Sequence, residues 1–453
     1  MPDLKSEAVH LYLETLNRIE VRRLVQEKLR LAGEVLTVDS DQINLSEYDE
    51  LVVIGLGKGS VPIASALAGV LGDRISRGLL VTNRKSRLAV PPSIKVRVSG
   101  HPTPDARSVE AAREIINEME SCSERSLIFF IVSGGGSALA ELPLSDQISL
   151  DDLQRLNRLL VGSGATINEI NTVRKVFSRI KGGKTGYLAR RTRTVALFLS
   201  DVSAGDLRSL ASNPLLPEEA SIESARKILT RYRLLDKLPE AVRAELAAER
   251  EAFPVAWQFE KGLTTLVLAD NAIARQTAAA LARERGWVVE ICEDLVEEGY
   301  EEVGDASINR LRRLLADNPG RTVCLISGGE VLCPVRGRGL GGRNQEFVLY
   351  SAASLDASGI GPAAISLSAG TDGIDGNSVA AGAVADGGTV ARAGRRGYAS
   401  SSYLTDSDSS SFFSEAGGLV VSGPTGNNVR DIRIMIAGGD ESGSQHLVGR
   451  KDS

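Results

Sequence analysis

Short runs of consecutive apolar residues alternate along this chain with stretches in which apolar positions recur every three or four residues. The runs have the length of strands buried on both faces, and the periodic stretches that of helices packed on them. Strands are predicted at 51–56 (LVVIGL), 78–83 (GLLVTN), 95–100 (KVRVSG), 126–133 (SLIFFIVS) and 194–202 (TVALFLSDV). Helices are predicted over 4–34 (one or two), 60–71, 108–121, 150–162 and 168–180. A charged helix pair covers 218–250, punctuated by Pro239 and Pro254. A second series follows: TTLVLADN (264–271), a helix over 272–285, WVVEIC (287–292), a helix over 304–316, TVCLISGGE (322–330), a strand with a loop in PAAISLSAGTDGIDG (362–376), a helix or mixed segment over 401–416, and LVVSGPTGNNVRDIRIMIAG (419–438), which closes the domain.

Strand, glycine turn and helix in repeated succession predict an α/β fold, a parallel sheet with helices on both faces. The 453 residues are too many for one ordinary domain. The punctuated region predicts a division into an N-terminal domain, 1–245, and a smaller α/β C-terminal domain, 246–440. Residues 441–453 read as a disordered tail.

The 46 glycines cluster at predicted strand ends, next to Lys, Arg, Asp, Glu and Asn. The segments are VVIGLGKGS (52–60), GHPTPD (100–105), SGGGSAL (133–139), INTVRKVFSRIKGGK (170–184), SGGE (327–330), RGLGGRNQE (338–346) and GTDGIDG (370–376). Ligands of open parallel sheets bind beyond the C-terminal strand ends, so these segments are expected to line one crevice. The pattern suits a polar, phosphate-bearing substrate.

Charge and composition narrow the field. The formal net charge of −5, without a long basic run, speaks against a nucleic-acid binder. Cys122, Cys292, Cys324 and Cys333 have no CxxC spacing and read as small buried residues. With only His10, His101 and His446, a zinc site or a histidine triad is poorly supplied. The amphipathic N-terminus lacks a signal-peptide core, and no apolar stretch has the length of a membrane span. The expectation is a soluble, cytoplasmic protein with no membrane partner.

Each candidate motif has a bland reading beside the chemical one. GLGKGS approximates a dinucleotide fingerprint, but Ser60 holds the third glycine position. The next strand ends in Thr82-Asn83-Arg84, without an acid for a ribose, so only an NADP version with Arg84 survives. Lys58 in that turn, after Gly57, is poised for an anion at a helix N-terminus, or is an exposed turn lysine. KGGKT (181–185) lacks the first glycine and the strand of a P-loop. Arg174, Lys181 and Lys184 form a basic cluster that either binds phosphate or marks a solvated helix end. Ser133, Gly134, Gly135 and Ser137 supply backbone N–H groups and hydroxyls to an oxyanion or carboxylate. A serine nucleophile there lacks a GxSxG elbow and has only His101 as a base. Asp201, Asp206, Glu330, Asp372 and Asp375 are the carboxylates placed to hold Mg²⁺ or to orient a hydroxyl, or to cap turns. Arg343 offers a fork to phosphate or carboxylate.

Taken in order, GHPTPD, SGGGSAL, INTVRK…IKGGK, SDV…GD, SGGE…RGLGGRNQE, GTDGIDG and GPTGNNVRD (423–431) resemble the glycerate 2-kinase family, whose C-terminal region is the MOFRL domain. The resemblance covers roughly residues 5–437. It implies a Rossmann-like, doubly wound N-terminal domain, a smaller α/β domain and an active site in the interdomain cleft. It also implies transfer of the γ-phosphoryl group of ATP, with Mg²⁺, to the 2-hydroxyl of D-glycerate, giving 2-phosphoglycerate. Carried onto this chain, Lys58, Asp201 and Arg343 are the catalytic candidates. Gly57, Ser133, Gly134, Gly135, Ser137, Arg174, Lys181, Glu330, Asn344, Asp372 and Asn428 are the binding candidates. Asp201 and Glu330 are the metal candidates, and a homodimer is left open.

Three segments depart from the family pattern. The usual SGPT reads SNPL at 212–215, the usual KHLS reads KVFS at 175–178, and Val379 stands where an acid is common. The competing enzyme reading is an NAD(P)H-dependent hydroxypyruvate reductase, which the incomplete fingerprint and scarce histidines disfavour. The competing non-enzyme reading is a nucleotide-binding regulator, against which the many charged residues at strand ends count.

Overall fold

The computed structural model describes residues 3–202, 206–218, 221–248 and 257–438. The chain divides into two compact units, Val21–Leu268 and Met1–Glu20 with Ala269–Ser453. This differs from the expected break at 245 in two ways: the first twenty residues belong with the C-terminal unit, and the strand around 264–269 belongs with the earlier one. The expected tail, 441–453, lies outside the described residues.

Residues 29–34, expected to be helical, instead start a small antiparallel sheet: β1 (Leu29–Ala32), β2 (Val35–Val38) and β3 (Asp41–Asn44). Across this hairpin Leu29, Leu36 and Val38 are buried while Arg30, Ala32 and Val35 are exposed, a two-residue alternation that a short helix could not satisfy. The main sheet of this unit holds β4 (Glu50–Leu56), β5 (Ile75–Thr82), β6 (Ile94–Val98), β7 (Ser126–Ser133), β8 (Arg193–Leu199) and β9 (Leu263–Ala269), in the order β6-β5-β4-β7-β8-β9. β4 through β8 pair in parallel. Numbered within the sheet, this is the 3-2-1-4-5-6 order of a doubly wound fold, whose direction reverses between β4 and β7. All eight residues of β7 are buried, as its unbroken apolar run requires of a central strand.

Helices start where the sequence supplies caps. Asp105 accepts from the backbone N–H of Arg107 and Ser108 and opens Ala106–Glu120, which buries Ala111, Ala112, Ile115 and Met119 against the sheet. Ser149 and Thr166 open Leu150–Val161 and Ile167–Val176 with capping boxes. These two helices join Ile222–Arg231 and Glu240–Ala247 in a separate apolar cluster.

The other unit is built on a mixed sheet of β10 (Val288–Val296), β11 (Val323–Gly329), β12 (Ala364–Gly370), β13 (Gly382–Asp386), β14 (Leu419–Val420) and β15 (Asp431–Ala437). Its order is β10-β11-β15-β12-β13-β14, with β10–β11 parallel and the rest antiparallel. The helix Leu4–Arg18 packs into this unit, where the hydroxyl of buried Tyr12 donates to the Gly370 carbonyl at 2.7 Å. Among the described residues, no helix is long and apolar enough to cross a membrane.

Candidate active site

In the Val21–Leu268 unit the predicted residues gather at the reversal point of the sheet. β4 ends in a turn that begins at Gly57, with φ 130°. A side chain there would overlap Ser133, so only glycine fits. The turn is then tied to the end of β7: the Lys58 N–H donates to the Gly134 carbonyl and the Gly59 N–H to Ser133 Oγ, both at 2.9 Å. This fixes the backbone of Lys58 while its side chain stays exposed.

Three side chains surround the Ser133–Gly135 turn. A Cβ on Gly134 would collide with the Asp201 carboxylate, so Asp201, just past β8, rests on bare backbone. A Cβ on Gly135 would lie 3.1 Å from the His101 ring and 3.3 Å from Lys58 Cε. Lys58, Asp201 and His101 therefore share one glycine turn. Burial, and then the Lys58 charge, hold the His101 pKa below its ordinary value, which keeps the ring uncharged at neutral pH. Sequence reasoning weighed His101 only as a partner for a serine; the signal for it was its place directly after a predicted strand end. Asp206 accepts from the hydroxyl of Ser209 and closes a turn.

The basic segment 174–184 does not lie in solvent, as a helix end would. Lys175, Lys181 and Lys184 are all buried. Lys175 pairs with Glu218, Lys181 pairs with Glu141, and Lys184 Nζ donates to the carbonyls of Lys175 and Ser178 at 2.5 and 2.6 Å. Burial pushes the Lys184 pKa down to about 8. Glu141, which the motif reading did not single out, also accepts from Ser178 Oγ at 2.7 Å. A buried ion pair of this kind is costly to break rather than profitable to form.

Two of the departures from the family pattern find physical reasons here. Asn213 takes φ 51°, a left-handed conformation that asparagine tolerates better than most residues, at the place of the common glycine. Its side chain bridges the Leu216 backbone and Glu218. Val176 stands where histidine is common, and it is buried in the apolar helical cluster. Ser137 Oγ meets Ser212 Oγ at 2.8 Å.

In the other unit the predicted residues collect at one end of the mixed sheet. Gly329 of β11 and Gly370 of β12 both pair with Asp431, the first residue of β15. Arg343 opens the helix Arg343–Ala357 and sends its fork to Asp431 at 2.6 and 3.0 Å, and to Glu330 at 2.8 Å. Asp375 caps the same helix through the backbone N–H groups of Asn344 and Gln345 at 3.1 and 2.9 Å. Asn344 is itself buried between Asp375 and Ser368, so it braces the helix start rather than facing a ligand. Asp372 accepts from the Ile374 N–H at 3.1 Å, a turn-closing bond, and Asn428 accepts from the Arg430 N–H at 3.2 Å. A cavity of about 620 Å³ opens here, with Glu330, Arg343, Glu346, Gly341, Gly342 and Asn377 in its walls. That volume is in the range of drug-sized and nucleotide ligands.

Glu346 yields a pH prediction. It is 3% exposed, Oε1 has no hydrogen-bond partner, and burial raises its pKa from 4.5 to about 7. Between those values the folded chain holds a proton that the unfolded chain releases, so this group's contribution to stability is lost as pH rises through about 7. Glu346→Gln is expected to be more stable than the parent by about 3 kcal/mol at pH 8, and equal to it near pH 4. Urea unfolding at the two pH values measures the difference.

Comparison with known proteins gives a consistent result. Residues 7–247 match the family described as a domain of unknown function (DUF4147), and residues 323–431 match the MOFRL family. A D-glycerate 2-kinase of Thermotoga maritima is 32% identical over 435 residues, covering 96% of this chain and 98% of that protein. A protein of Agrobacterium vitis, provisionally named a hydroxypyruvate reductase, is 37% identical over 396 residues, covering 85% and 99%. The crystal structure of a Thermotoga maritima glycerate kinase superposes with a TM-score of 0.83 at 30% identity, over 96% of this chain and all of that one.

Proposed function

The chain belongs to the glycerate kinase family that joins a DUF4147 domain to a MOFRL domain, and from that premise we infer that it is an ATP-dependent glycerate 2-kinase. The observation that carries this reading to particular residues is the convergence of Lys58, His101 and Asp201 on the Ser133–Gly135 turn, at the reversal point of the parallel sheet.

Phosphoryl transfer asks a protein mainly for positioning and charge. Lys58 supplies a cation on a rigid backbone for the transferred group. Asp201 orients the acceptor hydroxyl and takes up its proton. The N–H groups of the Ser133–Gly135 turn face developing negative charge. In the other unit, taken by itself, Arg343 is set by Asp431 and keeps one terminal nitrogen for an anion, beside a cavity of nucleotide size. Among the described residues no three His, Cys, Asp or Glu side chains group to hold a metal. That fits magnesium, which binds through one or two carboxylates and the substrate's own phosphates. Asp201 would hold it; Glu330 is engaged by Arg343. When bound, the ion offsets charge on the phosphoryl oxygens. Four cysteines outside any disulfide fit a cytoplasmic enzyme.

The test is a coupled assay with D-glycerate, ATP and Mg²⁺, read through enolase so that only 2-phosphoglycerate gives signal. Steady product formation is expected. ADP release without enolase signal would point to the 3-phospho product. Consumption of NAD(P)H with hydroxypyruvate, and no ADP, would replace the kinase by the reductase.

A further inference from the structure

A second, smaller cavity of about 170 Å³ lies beside the same glycine turn, with His101, Ser137, Asn157, Arg174 and Lys181 in its walls. Its electrostatics are lopsided. Arg174 Nε donates to Asn157 Oδ1 at 2.7 Å, and its two terminal nitrogens have no hydrogen-bond partner among the described residues. Among the described residues the one acid acting on its charge is Glu141, and Glu141 is spent on Lys181 and Ser178. His101 is held uncharged. The cavity wall therefore carries one uncompensated cation, half-buried, with a planar pair of donors turned to open space.

A half-buried guanidinium left in this state is a site for a small oxyanion, because an unpaired buried charge is costly until a counter-ion arrives. Two sources of such an anion exist in the reaction proposed above: the acceptor's carboxylate and the nucleotide's phosphates. Size and charge favour the first. The cavity is well below the 300–1,000 Å³ or so of nucleotide-sized pockets. One net positive charge balances a carboxylate and falls short of a triphosphate. With Nε anchored, the remaining edge of Arg174 matches the two oxygens of a carboxylate.

We propose that this cavity is the acceptor subsite, in which Arg174, oriented by Asn157, binds the carboxylate of a short 2-hydroxy acid and so hands its hydroxyl to the glycine turn. The assignment rests on the kinase reading for the identity of the acid. The consequence is selectivity: the enzyme accepts short hydroxy acids and rejects neutral polyols of the same length.

The experiment has two parts on the full chain. Calorimetry with D-glycerate alone reports binding without turnover, and steady-state kinetics report KM for each substrate. Arg174→Met is expected to weaken D-glycerate binding and raise its KM about 100-fold, with KM for ATP changed less than about 2-fold. Arg174→Lys, which keeps the charge and loses the fork, should fall between. The unaltered enzyme should prefer D-glycerate to glycerol and to glyceramide by at least about 10³-fold, a preference that shrinks in Arg174→Met. Unchanged glycerate binding in Arg174→Met, a rise confined to KM for ATP, or equal use of glycerol by the unaltered enzyme would each overturn the assignment. An enzyme that binds D-glycerate through Arg174 but releases no ADP would keep the subsite and reject the kinase. The kinetics of glycerol and glyceramide need no variant and stand even if Arg174→Met folds poorly.

Discussion

Lys58→Ala is expected to lower kcat by about 10²–10³-fold while leaving the folded state as stable as the parent. The two halves of this result come from different atoms. The backbone of residue 58 is held by the Gly134 carbonyl and by the turn at Gly57, and alanine keeps both. The side chain is exposed and stands beside Gly135, so its loss removes charge and no packing. An exposed lysine is worth little to folding, whereas a fixed cation beside a transferring phosphoryl group acts chiefly in the transition state. Turnover and thermal unfolding measured together decide the matter. Activity within about tenfold of the parent would remove Lys58 from the chemistry.

The second large effect is expected at a residue with no direct chemical role. Asp431→Asn should destabilise the chain by about 3 kcal/mol and disable Arg343 at the same time. Asp431 is 1% exposed and accepts from Nε and one terminal nitrogen of Arg343 while pairing in the sheet with Gly329 and Gly370. An amide can accept one of those bonds but cannot balance the guanidinium. The estimate sits at the low end for a broken buried pair because Glu330 still reaches Arg343. Urea unfolding gives the stability loss, and an Arg343→Gln, Asp431→Asn double variant should lose less than the sum of the two single changes. Strict additivity would mean that Asp431 acts independently of Arg343.

The legible part of this protein was the part written in glycine. Gly57, Gly134 and Gly135 sit where apolar runs stop; at Gly57 and Gly134 a side chain would strike a neighbour, and Gly135 takes φ 85°. That is why Lys58, Ser133 and Asp201 could be named from the order of motifs. Two other kinds of information were less accessible. Periodicity identifies a strand but not the sheet it joins, so Leu263–Ala269 was assigned to the wrong unit. Charge in a sequence looks like solvent exposure until its counter-charge is known. Lys175 and Lys181 are buried because Glu218 and Glu141 are waiting for them, 43 and 40 residues away. The usable hint was Glu141 itself, an acid set between Leu139-Ala140 and Leu142. Arg433, alone in the apolar run of β15, is a similar hint; it is buried against Phe347 and donates to the carbonyls of Gly328 and Gly329.

The helix Leu4–Arg18 belongs to the unit that resumes at Ala269, and this bears on how the protein is made. Its contacts are remote: Tyr12 reaches Gly370, Asn427 donates to the Ile19 carbonyl at 2.6 Å, and Arg285 pairs with Glu7 and Glu14. A ribosome adding about 10 residues per second would release this helix roughly half a minute before its partners exist. Val21–Leu268 can close around its own sheet during that interval. A helix translated ahead of Val21–Leu268 is then seated after it, and its apolar face is what a chaperone would meet on the nascent chain.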